Sequence, residues 1–175
     1  MLLVGVMGSR KEALMKSLVR ALTSRGYRVA TVAQVRRLRV PEELKEYAEA
    51  GAGLRMACST DKVLISSNFP LKEPDSIVKV LSCLTPIEPD AVIFLGFEDE
   101  LAREEKLMKV VVASSLSEAK QLIEKVSPPL VGVYSERGPL EGGFSSIDSL
   151  VEALVEEGIR RRLLQSSPGR LKVDG

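Results

Sequence analysis

Residues 2–18, "LLVGVMGSRKEALMKSL", place an apolar strand, a glycine-bearing turn and a helix in direct succession. The run "LLVGV" at 2–6 is continuously apolar, which is typical of a parallel strand buried on both faces. The helix predicted over 10–25 carries its leucines on one face, and Gly26 stands where a helix commonly ends. A strand, a turn and a helix in this order begin an α/β fold.

The rest of the chain repeats this alternation. Further strands are predicted at 27–33, 54–59, 62–67, 90–97, 109–114 and 130–135, and further helices at 41–51, 73–84, 115–126 and from Ile147, with Ser146 as its N-cap. We therefore predict a three-layer α/β fold of the P-loop type, with a largely parallel central sheet and a short antiparallel hairpin at 54–67. A single domain is expected over 1–162, followed by a flexible C-terminal tail over 163–175.

Composition excludes several classes of function. The 25 Lys and Arg residues balance 24 Asp and Glu residues, so the net charge of +1 gives no case for a nucleic-acid partner. The chain contains no histidine, which excludes imidazole catalysis and histidine-bearing metal sites. No apolar run is long enough to span a bilayer and no signal peptide is recognisable, so a cytoplasmic location is expected. The single asparagine and the many charged residues indicate a thermophilic source.

Two further features have structural interpretations. Cys58 and Cys83 stand in apolar contexts without paired spacing, and we expect buried free thiols. The acidic stretch "FEDELAREE" at 97–105 is interpreted as a solvated loop, and the basic stretches at 35–39 and 159–164 as solvated faces.

The turn after the first strand occupies the frame of a phosphate-binding loop. In G-x-x-x-x-G-K-[ST], backbone N–H groups cradle the phosphates, the lysine reaches the outer phosphates and the hydroxyl holds Mg²⁺. The stretch "GVMGSRKE" at 5–12 keeps the lysine but has Arg10 for the second glycine and Glu12 for the hydroxyl. The predicted phosphate site comprises Gly5, Gly8, Ser9, Arg10, Lys11 and Glu12.

The same residues permit a purely structural interpretation. The sequence from Ser9 to Glu12 is S-x-x-E, the capping box, in which both residues would satisfy N–H groups that a phosphate needs. Weak binding of a nucleotide or anion and no useful binding are both compatible with this loop. Efficient hydrolysis is not expected.

The order of motifs resembles that of a known family. The phosphate-loop frame is followed by "AEAGAGLRMACSTDKVLI" at 48–65, "DAVIFLGFED" at 90–99, "MKVVVA" at 108–113 and "FSSIDSLVEALVEEGI" at 144–159. Together they resemble P-loop protein B of molybdopterin-guanine dinucleotide biosynthesis, the MobB family. The resemblance implies a GTP-binding, usually dimeric accessory protein. Its partner would be the guanylyltransferase that attaches GMP to molybdopterin, or a molybdopterin-derived ligand.

Departures from the family pattern concern the metal. Leu95 stands where the family has a glutamate that helps to hold Mg²⁺, and "AQVRRLR" at 33–39 lacks the family's Lys-His-x-His pattern. GTP stays a candidate ligand, while these changes argue against Mg²⁺, and no metal site is predicted. The residues expected at the rim of the site are Arg36, Arg37, Gly96, Phe97, Glu98 and Asp99.

Three functions follow, and we favour them in this order. The first is a MobB-like accessory protein of molybdenum or tungsten cofactor assembly that binds GTP or phosphate weakly or not at all. The second is an active GTPase or other NTPase with displaced metal ligands. The third is a structural partner that dimerises through the 54–67 hairpin.

Overall fold

A computed structural model describes residues 1–35, 39–60, 62–67, 74–84, 88–135, 137–138, 140 and 142–166. The strands in these ranges are β1 (Leu2–Gly8), β2 (Val29–Ala33), β3 (Leu54–Cys58), β4 (Val63–Ser67), β5 (Ala91–Leu95), β6 (Met108–Val112) and β7 (Leu130–Tyr134). The helices are α1 (Lys11–Ser24), α2 (Glu42–Glu49), α3 (Pro74–Leu84), α4 (Glu98–Arg103), α5 (Leu116–Ile123) and α6 (Ile147–Arg160).

Five strands form a parallel sheet in the order β2-β5-β1-β6-β7. The strand β1 lies at the centre, and its residues are buried from Leu2 to Met7, as its unbroken apolar run predicts. The strands β3 and β4 form a separate antiparallel hairpin. The predicted three-layer α/β fold with a parallel sheet and a short hairpin is confirmed.

Helices cover both faces of the sheet. One face of β1 packs Leu2, Val4 and Val6 into a core shared with α1 and α6. The opposite face packs Leu3 and Met7 against α3 and α4. The helix α5 adds a smaller cluster beside β6 and β7 on that second side. Because all five strands are parallel, their carboxyl ends share one edge, which carries the turn after β1 and the segment after β5.

Several predicted helix ends are confirmed. Gly26 follows α1 with a φ of 87°, and its N–H donates to the carbonyl of Thr23 at 2.9 Å. Gly51 follows α2 with a φ of 100°. The hydroxyl of Ser146 caps α6 by accepting the N–H of Asp148 at 3.2 Å. These are the end signals that glycine and serine give in sequence.

Two structural predictions are wrong. Both cysteines are exposed, because Cys58 ends β3 and Cys83 lies in the last turn of α3. The acidic stretch is not a loop but contains α4, which buries Leu101 and Ala102. Three acidic residues in its first turn favour a helix there because they complement the helix dipole.

The packed domain extends past the predicted boundary. Leu163 and Leu164 contact the core, and the side chain of Leu164 is buried. Residues 167–175 of the predicted tail lie outside the described part of the chain. Among the described residues, no helix is long and apolar enough to cross a membrane.

A buried lysine anchors the segment that follows α4. Lys109 of β6 is fully buried, and its ammonium donates to the carbonyl of Glu104 and to that of Pro128 at 3.2 Å. Burial lowers the pKa of Lys109, while the nearby Glu104 and Glu105 raise it. The carbonyl partners satisfy the charge that burial would otherwise leave uncompensated. Lys109 thus fixes the C-terminal end of α4 against the sheet.

Candidate functional site

The turn between β1 and α1 is shorter than a phosphate-binding loop. The strand β1 continues to Gly8, which pairs with Val112 of β6. The N–H of Ser9 then donates to the carbonyl of Val112 at 3.3 Å. Only Ser9 and Arg10 separate the strand from the helix. One of the N–H groups expected to face a phosphate is therefore used by the sheet.

The two glycines of the motif lie in the strand. Gly8 has a φ of 101°, and a Cβ there would lie 2.1 Å from the carbonyl oxygen of Val112. Gly5 stands within β1, where a Cβ would meet Leu107 Cδ2 at 2.9 Å and Leu101 Cδ1 at 3.4 Å. Both glycines allow neighbouring groups to pack closely against β1. Packing within the strand is therefore enough to explain why glycine stands at these two positions.

The predicted capping box does not form. Arg10, in the left-handed region at φ 52° and ψ 24°, is the N-cap of α1, and no side chain caps this end. Ser9 lies one residue too early, and Glu12 is the second residue of the helix instead of the third. The helix N-terminus is thus not satisfied by the side chains that sequence suggested.

Lys11 and Glu98 form an ion pair across the turn. Lys11 opens α1 and Glu98 opens α4, so the contact joins the carboxyl ends of the neighbouring strands β1 and β5. Gly96 and Phe97 make it possible, because their positive φ values of 86° and 55° turn the chain back directly after β5. The sequence contained no sign of this fold-back.

Gln34 is a site residue that sequence reasoning missed. Its backbone N–H donates to the carbonyl of Leu95 at 2.8 Å, and its Oε1 accepts the N–H of Phe97 at 2.9 Å. A Cβ on Gly96 would lie 2.6 Å from the Cβ of Gln34. The amide therefore fixes the turn that positions Glu98. The sequence alone carried no signal for Gln34, because its contact with Phe97 forms only when β2 and β5 become neighbours in the sheet.

A second carboxylate lies on the other side of the turn. Glu118 of α5 accepts the Ser114 N–H at 2.8 Å and the Ser114 hydroxyl at 2.6 Å. The pKa of Glu118 is lowered, first by the hydrogen bond from the Ser114 side chain, then by that from the Ser114 backbone, and to a smaller extent by the nearby Ser9 hydroxyl. Burial acts in the opposite direction, and the charge of Arg137 adds a small lowering.

The turn separates two cavities of very different size. On the β2 side, a cleft of about 440 Å³ is lined by Lys11, Glu12, Gln34, Val35, Leu95 and Gly96. On the β6 side, the crevice beside Ser9 and Arg137 encloses only about 10 Å³, which is room for one water molecule. A small anionic group therefore fits beside Lys11 in the cleft and not in the crevice.

The remaining rim residues are placed only in part. Asp99 is exposed in the first turn of α4, next to Glu98. Arg36 and Arg37 lie outside the described residues. Within the part of the chain that the structure describes, no group of three His, Cys, Asp or Glu side chains could hold a metal ion.

Comparisons with solved structures identify the fold. A molybdopterin-guanine biosynthesis protein B (MobB) structure aligns over 89% of this chain and 98% of its own, with a TM-score of 0.65 and 18% identity. A MobB homologue from Bacillus stearothermophilus aligns over 92% and 97% at a TM-score of 0.59 and 20% identity. Bacillus subtilis MobB aligns over 95% and 99% at a TM-score of 0.60 and 13% identity. The chain has a MobB-like fold.

The other comparisons add nothing to the structural match. No protein-family model matches the chain, and no curated protein matches it. The predicted resemblance is thus supported at the level of the fold. The alignments span nearly the whole of this chain and of the solved structures.

Proposed function

We propose that this protein is a MobB-like accessory protein of molybdenum or tungsten cofactor guanine dinucleotide biosynthesis. The observation that carries the proposal is the MobB-like fold over almost the entire chain, with Lys11 at the strand-to-helix turn where such a protein would hold a phosphate. The proposal includes the cytoplasmic location that the sequence predicts. The protein would act by binding partners, with a phosphate site weaker than an intact loop provides.

Three features support some remaining affinity for an anion. The N-terminus of α1 has no side-chain cap, so its dipole and N–H groups favour negative charge. Lys11 adds a cation at this end of the helix. The cleft beside it has room for a phosphate group or a larger ligand.

Other features support weak binding. The hydrogen bond from Ser9 to Val112 uses one loop N–H, and the pairing of β1 with β6 continues as far as Gly8, which shortens the loop. Each charged hydrogen bond that a phosphate loses is worth about 1.5–3 kcal/mol, so losing two lowers affinity by roughly a hundredfold or more. Glu12 lines the cleft and adds negative charge.

The test of this site is a titration of the full chain, followed by thermal unfolding and calorimetry. The ligands are GTP, GDP, ATP and inorganic phosphate, each with and without Mg²⁺. Binding would raise the melting temperature, since ligand at 100 times its dissociation constant adds about 2.7 kcal/mol. Lys11→Ala should abolish that shift, whereas Lys16→Ala on the exposed side of α1 should not. A shift that is equal in both variants would contradict a site at Lys11.

A second proposal concerns the partner, and it is supported by the exposed face of the hairpin. Leu54, Met56 and Val63 are 65%, 61% and 62% exposed and lie on the same face, since Met56 pairs with Ile65 and Cys58 with Val63. Apolar side chains in such a contiguous patch mark an interface. We propose that two copies of the chain pair through this face to form a homodimer.

The oligomeric state of the chain in solution tests the proposed dimer. Sedimentation equilibrium should give twice the chain mass, and Met56→Glu should reduce it to the monomer. Leu116→Glu, at an exposed apolar residue away from the hairpin, is the matched control. A monomeric wild type, or a dimer that survives Met56→Glu, would overturn this interface.

An NTPase with displaced ligands is the alternative, and one observation favours it. Glu98 lies against Lys11, at the end of the strand where a metal-binding carboxylate is expected. If Glu98 replaces the missing carboxylate at Leu95, hydrolysis should require Mg²⁺ and should be lost in both Lys11→Ala and Glu98→Gln. Unchanged hydrolysis in Glu98→Gln would exclude this role.

A further inference from the structure

Carboxylates from two neighbouring helices lie on either side of the β1–α1 turn. The ammonium of Lys11 pairs with Glu98, the first residue of α4. The carboxylate of Glu118, in the first turn of α5, accepts the N–H and the hydroxyl of Ser114 on the other side of the turn. Because β5 and β6 flank β1 in the sheet, the two carboxylates approach the turn from opposite sides.

An ionised carboxylate offers a lysine the same chemistry as a phosphate oxygen. Both present anionic acceptor oxygens that take charge-assisted hydrogen bonds from an ammonium group. Glu98 therefore supplies Lys11, from within the protein, with the type of ligand that a bound phosphate would supply. A phosphate and Glu98 must compete for Lys11 wherever both cannot be accommodated.

The two carboxylates differ in how firmly they are held. Glu118 accepts the Ser114 N–H and the Ser114 hydroxyl at 2.8 and 2.6 Å. Glu98 contacts Lys11 with a side chain that is 48% exposed, and Lys11 is 20% exposed. Ion pairs this accessible to water are weak. Glu98 is thus the carboxylate that an incoming anion can displace, while Glu118 is held at the N-terminus of α5 by its hydrogen bonds with Ser114.

Resting on the proposed function of the turn as an anion site, we propose that Glu98 is a displaceable internal ligand of Lys11. It occupies the ammonium when the site is empty and leaves when a phosphate or pyrophosphate group binds in the cleft. The contact lowers the affinity for these anions and gives the empty site a neutral lysine–glutamate pair. Gln34 positions Glu98, because its side-chain Oε1 accepts the N–H of Phe97, the residue directly before Glu98.

Calorimetric titration of the full chain with inorganic pyrophosphate, without Mg²⁺, tests the competition. Glu98→Gln should bind pyrophosphate up to about fivefold more tightly than the wild type, the factor that corresponds to a weak surface ion pair. Glu100→Gln removes the same charge from the same exposed first turn of α4 and should change the affinity less. Lys11→Met should lose pyrophosphate binding both in the otherwise wild-type chain and in combination with Glu98→Gln.

A double-mutant cycle tests the contact without any ligand. The unfolding equilibria of wild type, Lys11→Met, Glu98→Gln and the double variant should show a coupling of about two- to fivefold. The cycle of Lys11→Met with Glu100→Gln should show a smaller coupling. This measurement is independent of whether the turn binds an anion.

The outcomes distinguish failure of the proposed role of Glu98 from failure of the anion site itself. If the double-mutant cycle shows no coupling, the proposed role of Glu98 is overturned. It is also overturned if pyrophosphate binding depends on Lys11 but is no tighter in Glu98→Gln. Both results leave the anion site intact. Coupling without pyrophosphate binding in any variant overturns the competition together with the anion site. Weaker pyrophosphate binding in Glu98→Gln also overturns the proposal that Glu98 competes with the anion for Lys11.

Discussion

The turn after β1 and the turn after β6 share a sequence pattern and differ in structure. "SRKE" at 9–12 and "SLSE" at 115–118 are both S-x-x-E after a buried parallel strand. In the second, the hydroxyl of Ser115 accepts the N–H of Glu118 at 3.2 Å, and Glu118 reaches back to Ser114. In the first, the cap is Arg10 and no side chain takes part.

Strand register explains the difference. The strand β1 pairs with β6 up to Gly8, and the N–H of Ser9 donates to the carbonyl of Val112, so Ser9 is held against β6 instead of capping the helix. After β6, Ser115 is extended at φ −151° and lies directly before the helix, which is the geometry that a serine cap needs. A capping pattern therefore predicts a cap only where the preceding strand ends in time.

The largest expected effect is that of Gly8→Ala, which would break the pairing of β1 with β6. The left-handed conformation costs about 1–2 kcal/mol and overpacking against the Val112 carbonyl adds about 1–3 kcal/mol, so the loss should be about 3 kcal/mol in urea unfolding. Gly51→Ala has a similar φ of 100° with nothing within 4 Å and should lose only the first contribution. Equal losses at both positions would show that β1 does not reach Val112.

The second effect compares the two serines directly. Ser115→Ala should lower the free energy of unfolding by about 1 kcal/mol, the usual value of a serine cap. Ser9→Ala should lose less than about 0.5 kcal/mol because Ser9 caps no helix. Urea unfolding of both variants measures the difference. If the two losses are equal, Ser9 caps α1 in solution and the contrast between the turns disappears.

The third effect uses pH to compare the two glutamates. Hydrogen bonds lower the pKa of folded Glu118 below its ordinary value of 4.5. Its contribution is therefore complete above about pH 4.5 and is lost as the pH falls through the folded pKa. Between pH 7 and pH 3, Glu118→Gln should lose less stability than the wild type, by under about 1 kcal/mol.

Glu12→Gln is the matched control for this substitution. Glu12 has the same place in the S-x-x-E pattern, but no side-chain cap forms at its helix. At pH 7, Glu12→Gln should therefore lower the free energy of unfolding less than Glu118→Gln does. Equal losses in the two variants at pH 7 would contradict the structural contrast.

The smallest effect is expected for Arg10→Gly at the cap of α1. Relief of the left-handed conformation is worth about 1 kcal/mol, and the greater backbone entropy of glycine offsets about half of it. This backbone change alone is worth a gain of about 0.5 kcal/mol in urea unfolding, and loss of the Arg10 side-chain interaction reduces that gain. Arg25→Gly, at the other end of α1 with a φ of −84°, should show no such gain. A loss of stability in Arg10→Gly would mean that the Arg10 side chain stabilises the turn.

Local sequence patterns predicted the features that depend on neighbours along the chain. The apolar runs predicted the buried parallel strands, and Gly26, Gly51 and Ser146 predicted helix ends. The order of motifs predicted the MobB-like fold that the solved structures share. These features follow from periodicity, from glycine conformation and from short-range hydrogen bonds, all of which are properties of adjacent residues.

Predictions that depended on distant residues were incomplete or wrong. The exposure of Cys58 and Cys83 is decided by what packs on the hairpin and on α3. The contacts of Gln34 with Phe97 and of Lys11 with Glu98 join residues 63 and 87 positions apart. No local pattern encodes these pairs, because they arise only when β2, β5 and β1 become neighbours in the sheet.

The sequence by itself thus determined the α/β architecture and the position of Lys11 at the end of the first strand. Only the tertiary structure decided the state of the turn that carries it. The register of β1 against β6 extended the strand through Gly8, and the fold-back after β5 brought Glu98 to the lysine. Backbone pairing across strands set both, since hydrogen bonds between strands depend on which segments lie side by side and not on the residues next in the chain.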